Sequence, residues 1–337
     1  MNDSIHVIAC GVLAVDLEPI ARRLGLRLTT AFLPGGLHDR PHELRRRLQE
    51  AIDEASALGR GERIVIGYGV CGMGSVGIHA RSVPLVIPRV NDCIALFLGS
   101  DAAYRDQFAR YPGTYYISAG WVEGKAQPQS GEGKIHCGPD CYTLAQLVAA
   151  YGEENAEAIR RFLTSWQRNY QRAAFIDTGA EGKSRYAEIA RAMADAFGWQ
   201  YEDIPGSRQL LEKLLVAHHS TAEILFVPPH HVTAYDALSK SLKAAPVWEA
   251  EETAAGRDHT LVFDETLADQ DRGEPVRLGL GIDAGGTYTD AVLYDFAGDA
   301  VLEKAKAPTT KWDFTIGIQE TLDQFDPGRF AEVDLVT

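Results

Sequence analysis

The chain has 337 residues, 45% of them hydrophobic and 24% charged, which is enough apolar material for one large or two ordinary cores and argues against disorder. A formal net charge of -14 argues against a nucleic-acid partner, which needs a basic face, yet leaves room for a small anion in a glycine-rich turn. No apolar stretch reaches the ~18 residues that a bilayer span needs, and Met1-Asn2-Asp3-Ser4 lacks a basic leader, so a cytoplasmic protein with no membrane partner is expected.

In chain order, Ile5–Cys10 (IHVIAC) is a short apolar run that reads as a buried parallel strand. Residues 12–24 follow at helical spacing, with Val15, Ile20 and Leu24 on an inner face, and Leu26–Phe32 is a second strand. Pro41 opens a helix in which Leu44, Leu48 and Ile52 recur every four residues. Arg63–Tyr68 and Val83–Ile87 are further buried strands, the first ending in a glycine-rich loop around Cys71, the second running into Arg89, Asn91, Asp92 and Cys93, where a helix starts. Tyr111–Ser118 is another strand, residues 124–141 a loop, and 142–172 a long helical region. Ala173–Asp177, a helix from about Lys183 to Ala196, Gln200–Asp203 and Glu223–Val227 repeat the pattern. Alternation of this kind means doubly wound α/β architecture, with largely parallel sheets in two lobes over residues 1–247 and a ligand-sized cleft between them.

From Trp248 to about Pro275 the text turns acidic and loses its period, with one apolar run at Leu261–Phe263, and reads as a linker over 248–276. Residues 277–337 then give strand, glycine turn, strand, a third strand near Val301–Ala305, a helix at about 312–325 and a last short strand at Val333–Val336. Asp283, Gly285, Gly286 and Thr287 form the turn, and two glycines between β-branched runs let backbone N–H groups cradle a phosphate.

Five cysteines, an odd number, argue against a disulfide framework. Cys10, Cys71 and Cys93 each follow an apolar strand. In an open α/β sheet, ligands bind beyond the carboxyl ends of the strands, where the strand order reverses, and an order of 2-1-3-4 would bring these three ends together. Three thiolates suit an iron–sulfur cluster with one open iron, or zinc with an open position. The alternative is that the cysteines only pack, as buried cysteines often do. Cys137 and Cys141, with His136 beside them, and His230 after Pro228-Pro229 are further candidate ligands, with ordinary loop roles as their alternative. Arg40, Arg89, Asn91 and Asp92 fall in the proposed cleft, and the Asp177-Thr178-Gly179 loop with Lys183 precedes a helix that could hold an anion.

Two resemblances rest on these residues. Residues 5–231 resemble the domain of unknown function 1638 family, through HVIACG, YGVCGMGS at 68–75, NDCIALFLGS at 91–100, PGTYYIS at 112–118, FGWQYEDIPGS and FVPPHH. The resemblance implies family cysteines at Cys10, Cys71 and Cys93, and this sequence departs from the family's pattern at Val70 and around Cys93. The resemblance implies company with corrinoid-dependent methyl-transfer systems. GIDAGGTYTD at 281–290, with KAPTT at 306–310, resembles the opening of the hydantoinase/oxoprolinase family, whose fold is the actin–sugar kinase–Hsp70 type. It implies that Asp283 orients magnesium or water, that Gly285, Gly286 and Thr287 hold a phosphate, and that Asp290 braces the turn. The segment is expected to be an incomplete actin-like domain, and nucleotide binding by this chain alone is not expected.

Three functions compete. The first is a metal-binding α/β protein, with an iron–sulfur cluster or zinc on Cys10, Cys71 and Cys93, acting in redox or one-carbon, corrinoid-linked methyl-transfer metabolism. The second is a module that docks onto an actin-like or corrinoid-protein partner, and the third is a component of an ATP-dependent hydantoinase-like amidohydrolase. Self-association is compatible with all three.

Overall fold

The computed structural model describes residues 4–126, 148–149, 152–153, 155–156, 165–236, 239–247, 277–284, 288–310 and 314–337. The chain divides into two compact units, Met1–Val247 and Trp248–Thr337.

The first unit opens with β1 (Ser4–Cys10), a short 3-10 turn at Gly11–Leu13, α1 (Ala14–Leu24), β2 (Arg27–Leu33), α2 (Pro41–Ala57), β3 (Arg63–Gly67) and β4 (Leu85–Pro88). Pro41 supplies the first turn of α2, where an N–H would have no partner, and Leu44, Leu48 and Ile52 are fully buried, as their spacing predicts. After β4 come α3 (Cys93–Leu98), α4 (Asp101–Arg110), β5 (Thr114–Ser118) and α5 (Ala119–Ala126). Then follow β6 (Arg172–Asp177), α6 (Lys183–Phe197), β7 (Gln200–Pro205), α7 (Gln209–Val216), β8 (Ile224–Val227), β9 (His231–Asp236) and β10 (Ser241–Pro246).

These strands make two sheets and a hairpin. The larger sheet has the order β2-β1-β3-β4-β8, the smaller β5-β6-β7, and β9 pairs with β10. The first four strands of the larger sheet are parallel and β8 is antiparallel to β4; the smaller sheet is parallel throughout. One core joins the sheets: Val7, Ala9 and Val65 of the larger pack with Ala174, Ile176 and Ile204 of the smaller and with the leucines of α7. A second core lies on the far face of the larger sheet, under α2, and a third beneath α5 and α6.

Several elements differ from the sequence reading. Residues 124–126 belong to α5 rather than to a loop, and the rest of the expected loop, with Cys137, Cys141 and His136, lies outside the described residues. Most of the long helix expected over 142–172 is also outside them; Ser165–Asn169 is a 3-10 turn and Arg172 already begins β6. Helix α7 and the β9–β10 hairpin were not anticipated. The acidic stretch 248–276, with Leu261–Phe263, is outside the described residues.

The second unit contains β11 (Leu278–Ala284), β12 (Tyr288–Asp295), β13 (Ala300–Pro308), α8 (Phe314–Leu322) and β14 (Leu335–Val336). Its sheet has the order β13-β12-β11-β14, antiparallel through β11 and with β14 parallel to it. Leu278, Leu280, Ala291, Leu293, Ala305 and Phe325 form its core.

Candidate functional site

Beyond β1 the chain turns to β2 on one side, and β3 then lies on the other, so the strand order reverses between β1 and β3. The crevice beyond the carboxyl ends of such a pair is where open α/β sheets bind ligands. Ala9 pairs with Gly67, which places Cys10 and Tyr68 side by side one step further along. A Cβ on Gly67 would stand 2.5 Å from Ala9 Cβ, so glycine is what lets the two strands meet there.

The loop after β3 is laid directly onto the loop after β4. Val70 N donates to Val90 O and Cys71 N donates to Asn91 O, each at 2.8 Å. Gly69 permits this approach, since a Cβ there would fall 2.5 Å from Val90 O. Cys71, Gly72 and Met73 then turn with φ of 45, 61 and 72°, a left-handed run that is costly for the two side-chain-bearing residues. The turn is held by Gly74 N donating to Cys71 O at 3.1 Å and by Arg45 Nη2 donating to Met73 O at 3.1 Å. On the other loop, the Asp92 carboxylate accepts from Ile94 N at 2.9 Å and so caps α3, which puts Cys93 on its first turn.

Tyr68 stands at the same carboxyl edge as the three cysteines. Tyr68 is buried, 3% exposed, and its oxygen is shut off from solvent without a full hydrogen bond. Burial pushes its phenol well above the ordinary range, and the fields of Cys10, Cys71 and Cys93 push it further. Cys10 is its most direct polar neighbour, although their contact falls short of a full hydrogen bond. Burial also raises the Cys10 thiol, against smaller opposing contacts with Val12 and Tyr68. Cys10 and Cys71 are buried, Cys93 is half-buried, and none of the three is in a disulfide. Among the described residues, no three His, Cys, Asp or Glu side chains stand in a metal-holding arrangement.

The smaller sheet approaches the same edge. Gly120, at the start of α5, lies so close to Val12 that a Cβ would fall 1.7 Å from the Val12 carbonyl oxygen. One turn further on, Asp16 is fully buried, and its Oδ1 accepts from Thr178 Oγ1 at 2.6 Å and from Arg208 Nε at 2.8 Å. These partners follow β6 and β7, so a buried ion pair ties α1 to the carboxyl ends of the second sheet. Asp177, the last residue of β6, is held below the usual carboxylate range: burial works against this, but Lys183 at 2.5 Å and the Gly179 N–H outweigh it.

The other candidate residues stand elsewhere. Strand β8 is antiparallel, with Val227 opposite Leu85 at the start of β4, so His230 leaves the sheet at its amino edge. It is exposed there in a shallow depression with Asp53, Ser56 and Arg81, opposite the thiols, which corrects the expectation that it joins them. Arg89 begins the thiol-side loop, its backbone N donating to Glu223 O at 2.8 Å and its Nε buried without a partner. Arg40 is exposed just before α2. In the second unit, Gly285, Gly286 and Thr287 lie outside the described residues. Asp283 faces Asp290 across β11 and β12, and Lys306 offsets this like-charge pair from β13, at 3.1 Å from Asp290. The residue that sequence reasoning missed is Tyr68. Its signal was a tyrosine, rather than a phenylalanine, ending a buried strand three residues before a cysteine.

A family model described as Protein of unknown function (DUF1638) matches residues 32–215, more than half of the chain. The chain belongs to this family. The DUF1638 match contains β3, β4 and α3 with Cys71, Cys93 and Tyr68, and it ends in α7. A second model, the Hydantoinase/oxoprolinase N-terminal region, matches residues 279–337, which cover the sheet and helix of the second unit. Neither the curated proteins nor the solved structures compared with the chain yield a match.

Proposed function

We propose that the DUF1638 unit works through the thiol-lined edge at β1, β3 and β4, where Cys10, Cys71 and Cys93 hold a soft metal centre, an iron–sulfur cluster or zinc. The single observation that supports this is that three free cysteines, at the end of β1, in the loop after β3 and at the start of α3 after β4, share the carboxyl edge of one sheet. The donor chemistry fits such a group: sulfur prefers iron, zinc and other soft or borderline ions over magnesium and calcium. When bound, the centre supplies a Lewis-acid position or a one-electron couple. The chain's own part is to hold the three sulfurs, through the backbone ladder between the loops and the cap on α3, and to keep water from two of them. Redox or one-carbon metabolism, with a corrinoid protein as partner, is the setting that suits such a centre.

Anaerobic reconstitution of the whole chain with iron and sulfide, or with zinc, is expected to load one centre per chain, and Cys10→Ser, Cys71→Ser and Cys93→Ser each to lose it. Wild-type protein that retains neither metal at stoichiometric level overturns the reading.

The match at 279–337 favours a second reading for the C-terminal unit: a component of an ATP-dependent hydantoinase-like amidohydrolase, or a piece that docks onto an actin-like partner. Asp283 and Asp290 on neighbouring strands are the groups it would use. Calorimetry with magnesium nucleotide, with and without a candidate partner, tests it; no heat in either case overturns the amidohydrolase form.

A further inference from the structure

The loop after β3 runs from Tyr68 to Pro84 before β4 begins, and Cys71 stands near its start. Its first turn is left-handed at Cys71, Gly72 and Met73, and backbone in so sparse a region persists only where its surroundings over-determine it. Arg45 on α2 holds that turn at Met73 O, and Gln49 on the same helix accepts from His79 N at 2.7 Å further along the loop. Between these two points the anchor comes from the β9–β10 hairpin. Thr233 Oγ1 donates to Ser75 O at 2.7 Å and accepts from Ile78 N at 3.0 Å. Thr233 O also accepts from Gly77 N at 2.8 Å, and Thr233 N donates to Ile78 O at 3.0 Å. Ala80 N donates to His231 O at 2.8 Å and His79 bridges Val232, so β9 runs antiparallel along the loop. Thr233 is 1% exposed and Ser75 is fully buried, which puts these bonds out of reach of bulk water.

We propose that Thr233 is a positioning residue of the thiol site: its hydroxyl pins the loop at Ser75 and Ile78 and so fixes the turn that presents Cys71. The inference deepens the reading of the thiol edge as the working site and rests on it. A hydroxyl can donate and accept at once, and Thr233 uses both capacities on the backbone of one loop. Valine has the same shape but neither capacity, so it would leave a buried carbonyl and a buried N–H without partners. Serine keeps both. The anchor at Ser75 falls four residues after Cys71, close enough that releasing it frees the strained turn to relax towards ordinary backbone. Cys10, by contrast, ends a strand paired on both sides, and Cys93 lies on a capped helix, so neither depends on the hairpin. Thr233 lies beyond the residues 32–215 matched by the family model, and Cys10 lies before them. The working unit therefore extends past that match at both ends, with the β9–β10 hairpin as part of the site's support.

The test compares wild type, Thr233→Val and Thr233→Ser on the full chain. Amide hydrogen exchange reports opening of the loop, and alkylation of the metal-free protein, resolved by mass spectrometry, reports how often each buried cysteine is uncovered. Thr233→Val is expected to speed exchange about tenfold or more over residues 71–78, with β1 and β4 unchanged. Cys71 should be labelled severalfold faster, with Cys10 and Cys93 at their wild-type rates, and uptake of zinc or iron should fall to less than half. Thr233→Ser should restore all three readouts. Equal acceleration across both sheets and all three cysteines would mark a general loss of stability and overturn the proposal. A Thr233→Val protein with wild-type exchange and labelling, or with full metal uptake, would overturn it as well. If Thr233→Val does not fold, wild-type exchange decides: an Ile78 amide as fast as an exposed loop amide means that the hydroxyl does not hold it. If wild type takes up neither metal, the metal reading fails by itself, and exchange with labelling at Cys71 still decides the role of Thr233.

Discussion

His6 on β1 is 1% exposed, and its Nδ1 shares a 2.7 Å hydrogen bond with Thr29 Oγ1 on β2. Burial chiefly holds its imidazole below the ordinary 6.5, with the Arg60 charge acting the same way and Glu54 opposing. The folded chain therefore favours the neutral ring, while the unfolded chain takes up a proton at ordinary pH. The His6 contribution to stability is complete above the unfolded value and is lost as pH falls through it towards the lowered folded value. Urea midpoints measured from about pH 7.5 down to about pH 5 should fall, and His6→Gln should flatten that part of the curve. An unchanged slope in the variant would remove His6 from the account. Asp16 belongs to the same scale, because its partners come from 162 and 192 residues away. Sequence patterning sees an acid near the start of a helix and has no means of seeing the arginine that meets it.

At the scale of elements, the thiol site depends on one loop lying on another. Gly69→Ala would drive a Cβ into the Val90 carbonyl, so the loop after β3 must lift from the loop after β4. Cys71 would then separate from Cys93, and metal uptake should fall by more than the loss of stability explains, which overpacking puts at about 1–3 kcal/mol. Metal stoichiometry measured beside a urea curve checks this; full uptake with lowered stability would show that the ladder between the loops is only structural. The parallel strands could be read from the sequence because each is an apolar run ending at a glycine or a polar turn, and so their ends, and three cysteines, could be placed. The direction of β8 could not: ILFV has the same pattern either way round, and only pairing with β4 shows that it runs backwards. His230 was misplaced for that reason alone. Helix α7 was legible, since Leu210, Leu211, Leu214 and Leu215 recur on one face and all are buried, but it follows a strand so closely that the run was passed over. Tyr68 was hidden by its type, because an aromatic residue ending a buried strand looks like core until its hydroxyl is found without a partner.

At the scale of the whole molecule, each of the two units has a buried core of its own. Leu48, under α2, and Leu293, on β12, are both fully buried, each in a core of its own unit. Leu48→Ala and Leu293→Ala should each cost about 2–5 kcal/mol, and each should lower a different transition in a calorimetric scan. One shared transition that moves with either variant would show that the two units unfold together. Both families matched by the chain follow this division, with residues 32–215 in the first unit and 279–337 in the second. The order of strands, 2-1-3-4 with an added antiparallel edge, puts all three cysteines at the same carboxyl edge; nothing in the spacing of Cys10, Cys71 and Cys93 along the chain would do so without it.

The left-handed backbone at Cys71 sets durability against purpose. Glycine is the residue that φ of 45° suits, and it would relax the turn by roughly 1 kcal/mol. A chain so altered would hold together better and would have given up one of its three sulfurs. Any selection for heat resistance alone would therefore favour glycine at this position, whereas the ligand role proposed for the thiol would favour cysteine.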